Sequence, residues 1–181
     1  YKFQQGPAKA KHRVQLMGCG AILREVIAAA DLLHDDWGVT ADIWSAPSFN
    51  ELARDGQACA RWNLLHADQT AKQSWVEQCL LGSEGPVIAA TDYMKNYAEQ
   101  IRAFVPGDYH VLGTDGFGRS DSREALRRHF EVDKHYVTIA ALKALADQQK
   151  SSKAKDRISY QIVLKAMQKY GIDADKPNPL Y

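Results

Sequence analysis

The stretch GTDGFGRSDSREALRRHF, residues Gly113 to Phe130, sets three glycines, three acidic residues and four arginines between an apolar run and a helix. The preceding run, Tyr109 to Leu112, is short and β-prone, and reads as a buried strand ending at Gly113. Asp121 has Glu124 three positions on, the capping-box spacing that satisfies the free amides of a helix start. Within that helix Leu126 and Phe130 stand one above the other, and Arg123 and Arg127 line another face. Arg127, Arg128 and His129 fall in the last turn, where carbonyl ends favour cations by about 0.3–1 kcal/mol. Such a glycine-rich link between strand and helix is either a working site or a tight turn.

The same strand–turn–helix grammar recurs on both sides. Upstream, Tyr1 to Gln4 and Val14 to Met17 are β-prone and are expected to pair as an antiparallel hairpin across Gln5-Gly6-Pro7. Gly18-Cys19-Gly20 opens a helix with Ile22, Val26, Ala29 and Leu33 at helical spacing, stopped by Gly38. Val39 to Trp44 is a further β run, and Ser48 with Glu51 caps a helix through about Ala60. Thr70 is placed to cap a helix with Trp75, Cys79 and Leu80 inward and Gly82 at its end. Val87 to Ala90 is a continuous apolar run of the kind covered on both faces. Thr91 or Asp92 then caps a helix carrying Met94, Tyr97, Ile101 and Phe104.

Downstream, Asp133 caps a largely buried helix, Tyr136 to Gln148, followed by a polar break from Gln149 to Lys155. Ile158, Ile162, Ala166 and Tyr170 build a last helix stopped by Gly171, and the tail to Tyr181 is irregular. Strands alternating with helices predict an α/β fold, a three-layer α/β/α sandwich over residues 1–181 with a mixed, mostly parallel sheet of about five strands. The length suits one domain. Because the chain opens on Tyr1 inside a strand-like segment, it is expected to be a piece of a longer chain.

A net charge of +1 leaves no electrostatic footprint for nucleic acid, and no apolar run reaches the roughly 20 residues that span a bilayer. Cys19, Cys59 and Cys79 are odd in number and form no C-x-x-C, so they read as reduced thiols in a cytoplasmic protein. Gly18-Cys19-Gly20 is a partial dinucleotide fingerprint whose third glycine position is Leu23; Asp42, the acidic residue further on, lies inside a strand, so a structural turn is favoured. His129 and His135 belong to different helices without a metal-ligand cluster beside them, and His34 and His66 stand alone.

For the loop Gly113–Asp121 two readings stand. Backbone amides and Arg119 are able to hold an anion, as in a free-standing anion-binding module. Alternatively the glycines permit a tight turn, Asp115 and Asp121 bond local amides and repel an anion, and Phe117 plugs the core or an interface. The structural or interface reading is favoured. No complete catalytic constellation is present.

G-T-D-G-F-G-R-S-D, with Gly113, Asp115, Phe117, Gly118 and Ser120 in place, resembles the signature loop of the C-terminal domain of transketolase-like thiamine enzymes. Within that group the resemblance is to the homodimeric bacterial pyruvate dehydrogenase first components. It runs through VQLMGCGAILREVIAAADLL (from Val14), DWGVTADIWSAPSFNELARDG (from Asp36), TDYMK (from Thr91) and IDADKPNP (from Ile172). The resemblance implies a parent enzyme that decarboxylates pyruvate with thiamine diphosphate and Mg²⁺ and passes the acetyl group to lipoyl groups of a dihydrolipoyl acetyltransferase core. A dehydrogenase for another 2-oxo acid is the neighbouring possibility. It also implies cofactors held by the preceding domains and a third domain that contacts those domains and a second identical subunit. The family's G-D-G motif with its asparagine pair is absent, so no catalytic, cofactor-binding or metal-binding residue is carried over. The candidate residues are Gly113, Asp115, Phe117, Gly118, Arg119, Ser120 and Asp121, as an interface or structural loop.

Overall fold

The computed structural model describes residues 1–152, 154 and 156–181. Its strands are β1 (Lys2–Gln4), β2 (Arg13–Gly18), β3 (Thr40–Ser45), β4 (Val87–Ala90) and β5 (Tyr109–Leu112). They form one five-stranded sheet in the order β1-β3-β2-β4-β5. β2, β3, β4 and β5 are parallel, and β1 is antiparallel at one edge. The expected N-terminal hairpin is corrected: β1 pairs with β3, Lys2 opposite Trp44, and not with its sequence neighbour β2. Strand partners are chosen by the whole sheet, and β2 has both edges occupied by parallel neighbours.

Alternation along the strands divides the core. Val14, Leu16, Ala41, Ile43, Ile88 and Ala90 face α1 (Leu23–Trp37), α6 (Lys134–Gln148) and α7 (Tyr160–Lys169). Met17, Trp44, Val87, Ala89 and Tyr109 face α2 (Phe49–Leu65), α3 (Trp75–Leu80) and α4 (Lys95–Glu99). The three-layer α/β/α sandwich is therefore the observed architecture, each large apolar side chain contributing about 1.5–3 kcal/mol by burial. In α6, Val137, Ala141, Leu142, Ala144, Leu145 and Ala146 are all buried, because α1 and α7 both pack on it.

Several local expectations hold. Ile22, Val26, Ala29 and Leu33 are fully buried, and Gly38 closes α1 with φ 63°. Ser48 caps α2 and Asp133 caps α6 through bonds to the amides of Glu51 and Tyr136. Others shift. α2 continues through Leu65, and Ser74, not Thr70, caps α3 with a reciprocal box to Glu77. Trp75 is 54% exposed rather than inward. The helix expected after Thr91 is a short α4 followed by a 3-10 turn at Arg102–Phe104, and Met94 at its start is exposed. Thr91 Oγ1 instead accepts the Tyr93 amide at 3.1 Å. β5 is an edge strand, so only Tyr109 is fully buried. Within the polar break, Lys153 and Lys155 lie outside the described residues.

At the N-terminal end of the sheet, Asp42 accepts from Arg13 at 2.7 Å and from the Gly6 amide at 2.9 Å, while Trp44 Nε1 donates to Gln15 Oε1 at 2.8 Å. Asp42 sits three positions before the strand's carboxyl end, about 10 Å away at strand rise, and its carboxylate is already engaged. It closes a buried polar cluster and does not face the glycines after β2.

Candidate functional site

The C-terminal ends of β2, β4 and β5 converge on the loop that follows β5. Since β2 has β3 on one side and β4 on the other, the connections leaving the sheet centre diverge between β2 and β4, where open α/β sheets form crevices. Two loops are zipped together above that point. The Thr114 amide donates to Tyr93 O at 2.9 Å and Thr114 Oγ1 donates to Asp92 O at 2.6 Å. The Lys95 amide donates to Asp115 Oδ1 at 3.0 Å. Gly113 fits because a Cβ there would meet Lys95 N and Tyr93 O at 2.8 Å.

Gly116 has φ 107° and faces the carbonyl of Pro179, so the C-terminal tail lies directly on the loop. The tail is tethered by Lys176 Nζ, which donates to His129 O at 2.7 Å and pairs with Glu131 at 3.0 Å. Asp115 bonds an amide of the neighbouring loop after β4 rather than one within its own turn. Phe117 is 81% exposed, which excludes the core half of its expected role. Gly118, Arg119, Ser120 and Asp121 are exposed, and Asp121 Oδ1 accepts the Ser122 amide at 2.7 Å.

The expected Asp121 cap is corrected by one residue. Ser122 is the cap of α5 (Arg123–His129), its Oγ accepting the Ala125 amide at 3.2 Å. The neighbouring Asp and Ser compete for this role, and the serine is extended at the right place. Arg127, Arg128 and His129 do occupy the last turn. Arg128 donates to the carbonyls of Tyr170 and Gly171 at 2.8 Å, tying α5 to the end of α7. Arg127 pairs with Glu25 of α1 at 2.8 Å, and the other Glu25 oxygen accepts the Lys134 amide at 2.9 Å. That carboxylate fixes α5 and α6 against α1.

Between these elements lies an open crevice of about 510 Å³. Ile22, Leu126, Phe130 and Val132 are apolar lining, and Arg119, Arg123, Arg127, Asp92 and Thr114 supply the polar groups. Burial and the charges of Arg119 and Lys176 hold the His129 imidazole below its ordinary pKa, and its buried Nε2 has no hydrogen-bond partner among the described residues. Arg119 stands out in the sequence, whereas Asp92, one of two alternative helix caps there, and Ala21 and Ile22 after β2 join it only in the fold. The signal was available: all three follow apolar strand runs.

Asp115 and Asp121 are engaged by backbone amides, and among the described residues no three His, Cys, Asp or Glu side chains converge on a metal position. No helix among the described residues is long and apolar enough to cross a membrane. Cys19, Cys59 and Cys79 are free thiols.

The family description "Transketolase-like TK C-terminal domain" matches residues 1–133. The chain is 59% identical over 181 residues to the pyruvate dehydrogenase E1 component of Pseudomonas aeruginosa, covering 99% of this chain and 20% of that one. It is 52% identical over 171 residues to the pyruvate dehydrogenase E1 component of Escherichia coli K12, covering 94% and 18%. The chain thus spans about a fifth of the length of the curated relatives it matches. Among solved structures, a Pichia stipitis transketolase in complex with sedoheptulose-7-phosphate superposes with TM-score 0.55 at 17% identity, covering 83% of this chain and 18% of that one. A split-gene transketolase described as an inactive beta4 tetramer superposes with TM-score 0.53 at 15% identity, covering 80% and 41%. At such identities the likeness is one of fold.

Proposed function

Because this chain belongs to the transketolase-like C-terminal domain family, we propose that residues 1–181 are the C-terminal domain of a pyruvate dehydrogenase first component, acting as its architectural and dimer-contact unit. The observation that carries this reading is the 59% identity to a pyruvate dehydrogenase E1 component sustained over 99% of the chain. In that role the parent chain decarboxylates pyruvate with thiamine diphosphate and Mg²⁺ in the cytoplasm. It then reductively acetylates lipoyl groups on a dihydrolipoyl acetyltransferase core. The chemistry is assigned to the preceding domains, as the family resemblance implies.

What this domain contributes is a stiff contact loop. Gly113, Asp115 and Gly116 are locked to Tyr93, Lys95 and Pro179, and this framework holds Phe117 out into solvent. Gly118, Arg119, Ser120 and Asp121 continue the same exposed segment. An aromatic side chain held 81% exposed by a hydrogen-bonded loop suits burial in a neighbouring domain or a second identical subunit. Phe117→Ala in the full-length chain is therefore expected to weaken the dimer about ten-fold or more, a loss of about 1.4 kcal/mol or more. Sedimentation measures the dimer constant and decarboxylation measures the chemistry. Normal dimerisation with impaired decarboxylation would overturn the assignment.

A further inference from the structure

The crevice at the sheet's carboxyl edge shares Gly116, Gly118 and Arg119 with the contact loop, but Phe117, the aromatic group of that loop, does not line it. We propose that it binds a small organic anion, a carboxylate or phosphate monoester carried on a flat apolar body, gripped by Arg119 and Arg123. Three observations lead there. The volume of about 510 Å³ lies within the range of small-molecule sites, roughly 300–1,000 Å³. Its lining combines Ile22, Leu126 and Phe130 with guanidinium groups, the mixture an amphipathic anion needs.

The charge balance also favours an anion. Arg127 is neutralised by Glu25 at 2.8 Å. Among the described residues no ion pair engages Arg119 or Arg123, and both line the crevice with Asp92 as the single carboxylate. Two guanidinium groups against one carboxylate leave a positive site. Asp115 and Asp121, set against an anion in the sequence, keep their charge but are engaged outside the crevice. Asp115 turns to Lys95 and Asp121 to the Ser122 amide, and neither lines the crevice. Guanidinium forks bind carboxylate and phosphate through paired N–H donors, so an arginine pair selects such groups over halide.

Because Phe117 does not line this crevice, Phe117→Ala tests the contact role and the arginine variants test this site separately. The test uses the full-length protein with thiamine diphosphate and Mg²⁺ present, which occupy any phosphate site elsewhere in the chain. Phenyl phosphate is titrated by calorimetry into wild type and the double variant Arg119→Gln/Arg123→Gln, whose altered side chains are exposed and leave the core untouched. Saturable binding that weakens about ten-fold or more in the variant, at an unchanged melting temperature, is the expected result. Equal affinity in both proteins, or no saturation below roughly 10 mM, would overturn it. Inorganic phosphate binding as tightly as phenyl phosphate would refute the apolar floor.

Discussion

Replacing Glu25 by Ala is expected to loosen the site's scaffold, although Glu25 itself does not line the crevice. Its two oxygens accept from Arg127 at 2.8 Å and from the Lys134 amide at 2.9 Å, joining α1, α5 and α6. The paired side chains are only 18% and 20% exposed, so solvent screening removes little of the interaction. Losing a hydrogen bond to a charged partner costs about 1.5–3 kcal/mol, and losing an acidic acceptor at a helix start about 0.3–1. The total, about 2–4 kcal/mol, corresponds to a urea midpoint lower by about 1 M or more at ordinary slopes. Arg127→Ala alone leaves Glu25 its amide partner and is expected to cost less. The decisive measurement is the cycle of the two single variants and the double variant by urea denaturation. A coupling of about 1 kcal/mol is expected; additivity within roughly 0.3–0.5 kcal/mol would show that the pair does not brace the helices.

Two further outcomes concern the tail and pH. Gly116→Ala places a Cβ at φ 107° against the Pro179 carbonyl, so a loss of about 1–3 kcal/mol and faster carboxypeptidase trimming beyond Lys176 are expected. Unchanged trimming would mean that the tail does not depend on this contact. Tyr170 is pushed up to about 12 by burial and by its bond to Asp36. A tyrosine raised above its unfolded value of about 10 contributes stability that is full below pH 10 and lost as pH rises through 12. Thermal melts across that window should fall more steeply for wild type than for Tyr170→Phe, by roughly 1–2 kcal/mol after allowing for partial exposure. Parallel curves would refute the assignment.

Signals carried within one turn of chain were readable. Gly38 ends α1, Ser48 caps α2 and Asp133 caps α6, because each acts on amides or dihedrals a few residues away. The helical spacing of Ile22, Val26, Ala29 and Leu33 was equally plain, since burial repeats with the helix. Decisions made at a distance were not. β1 joins β3 rather than β2, and Trp75 turns outward although it sits in an apolar pattern. At Asp121-Ser122 two good caps compete side by side, and the backbone decides between them. The site divides in the same way. Its loop was conspicuous, but the opposite wall, Ala21, Ile22 and Asp92, is brought there only by the parallel crossing of β2, β4 and β5.

The burial of α6 has a consequence for synthesis on the ribosome. Val14, Leu16 and Ile43 emerge early, yet part of their cover is a helix ending at Gln148, and α7 must follow to shield that helix in turn. At about 5–20 residues per second, this apolar face waits on the order of ten seconds for its lid. During that interval the nascent chain presents a half-covered sheet. The late helices thus set when this segment of the polypeptide first becomes safe to release.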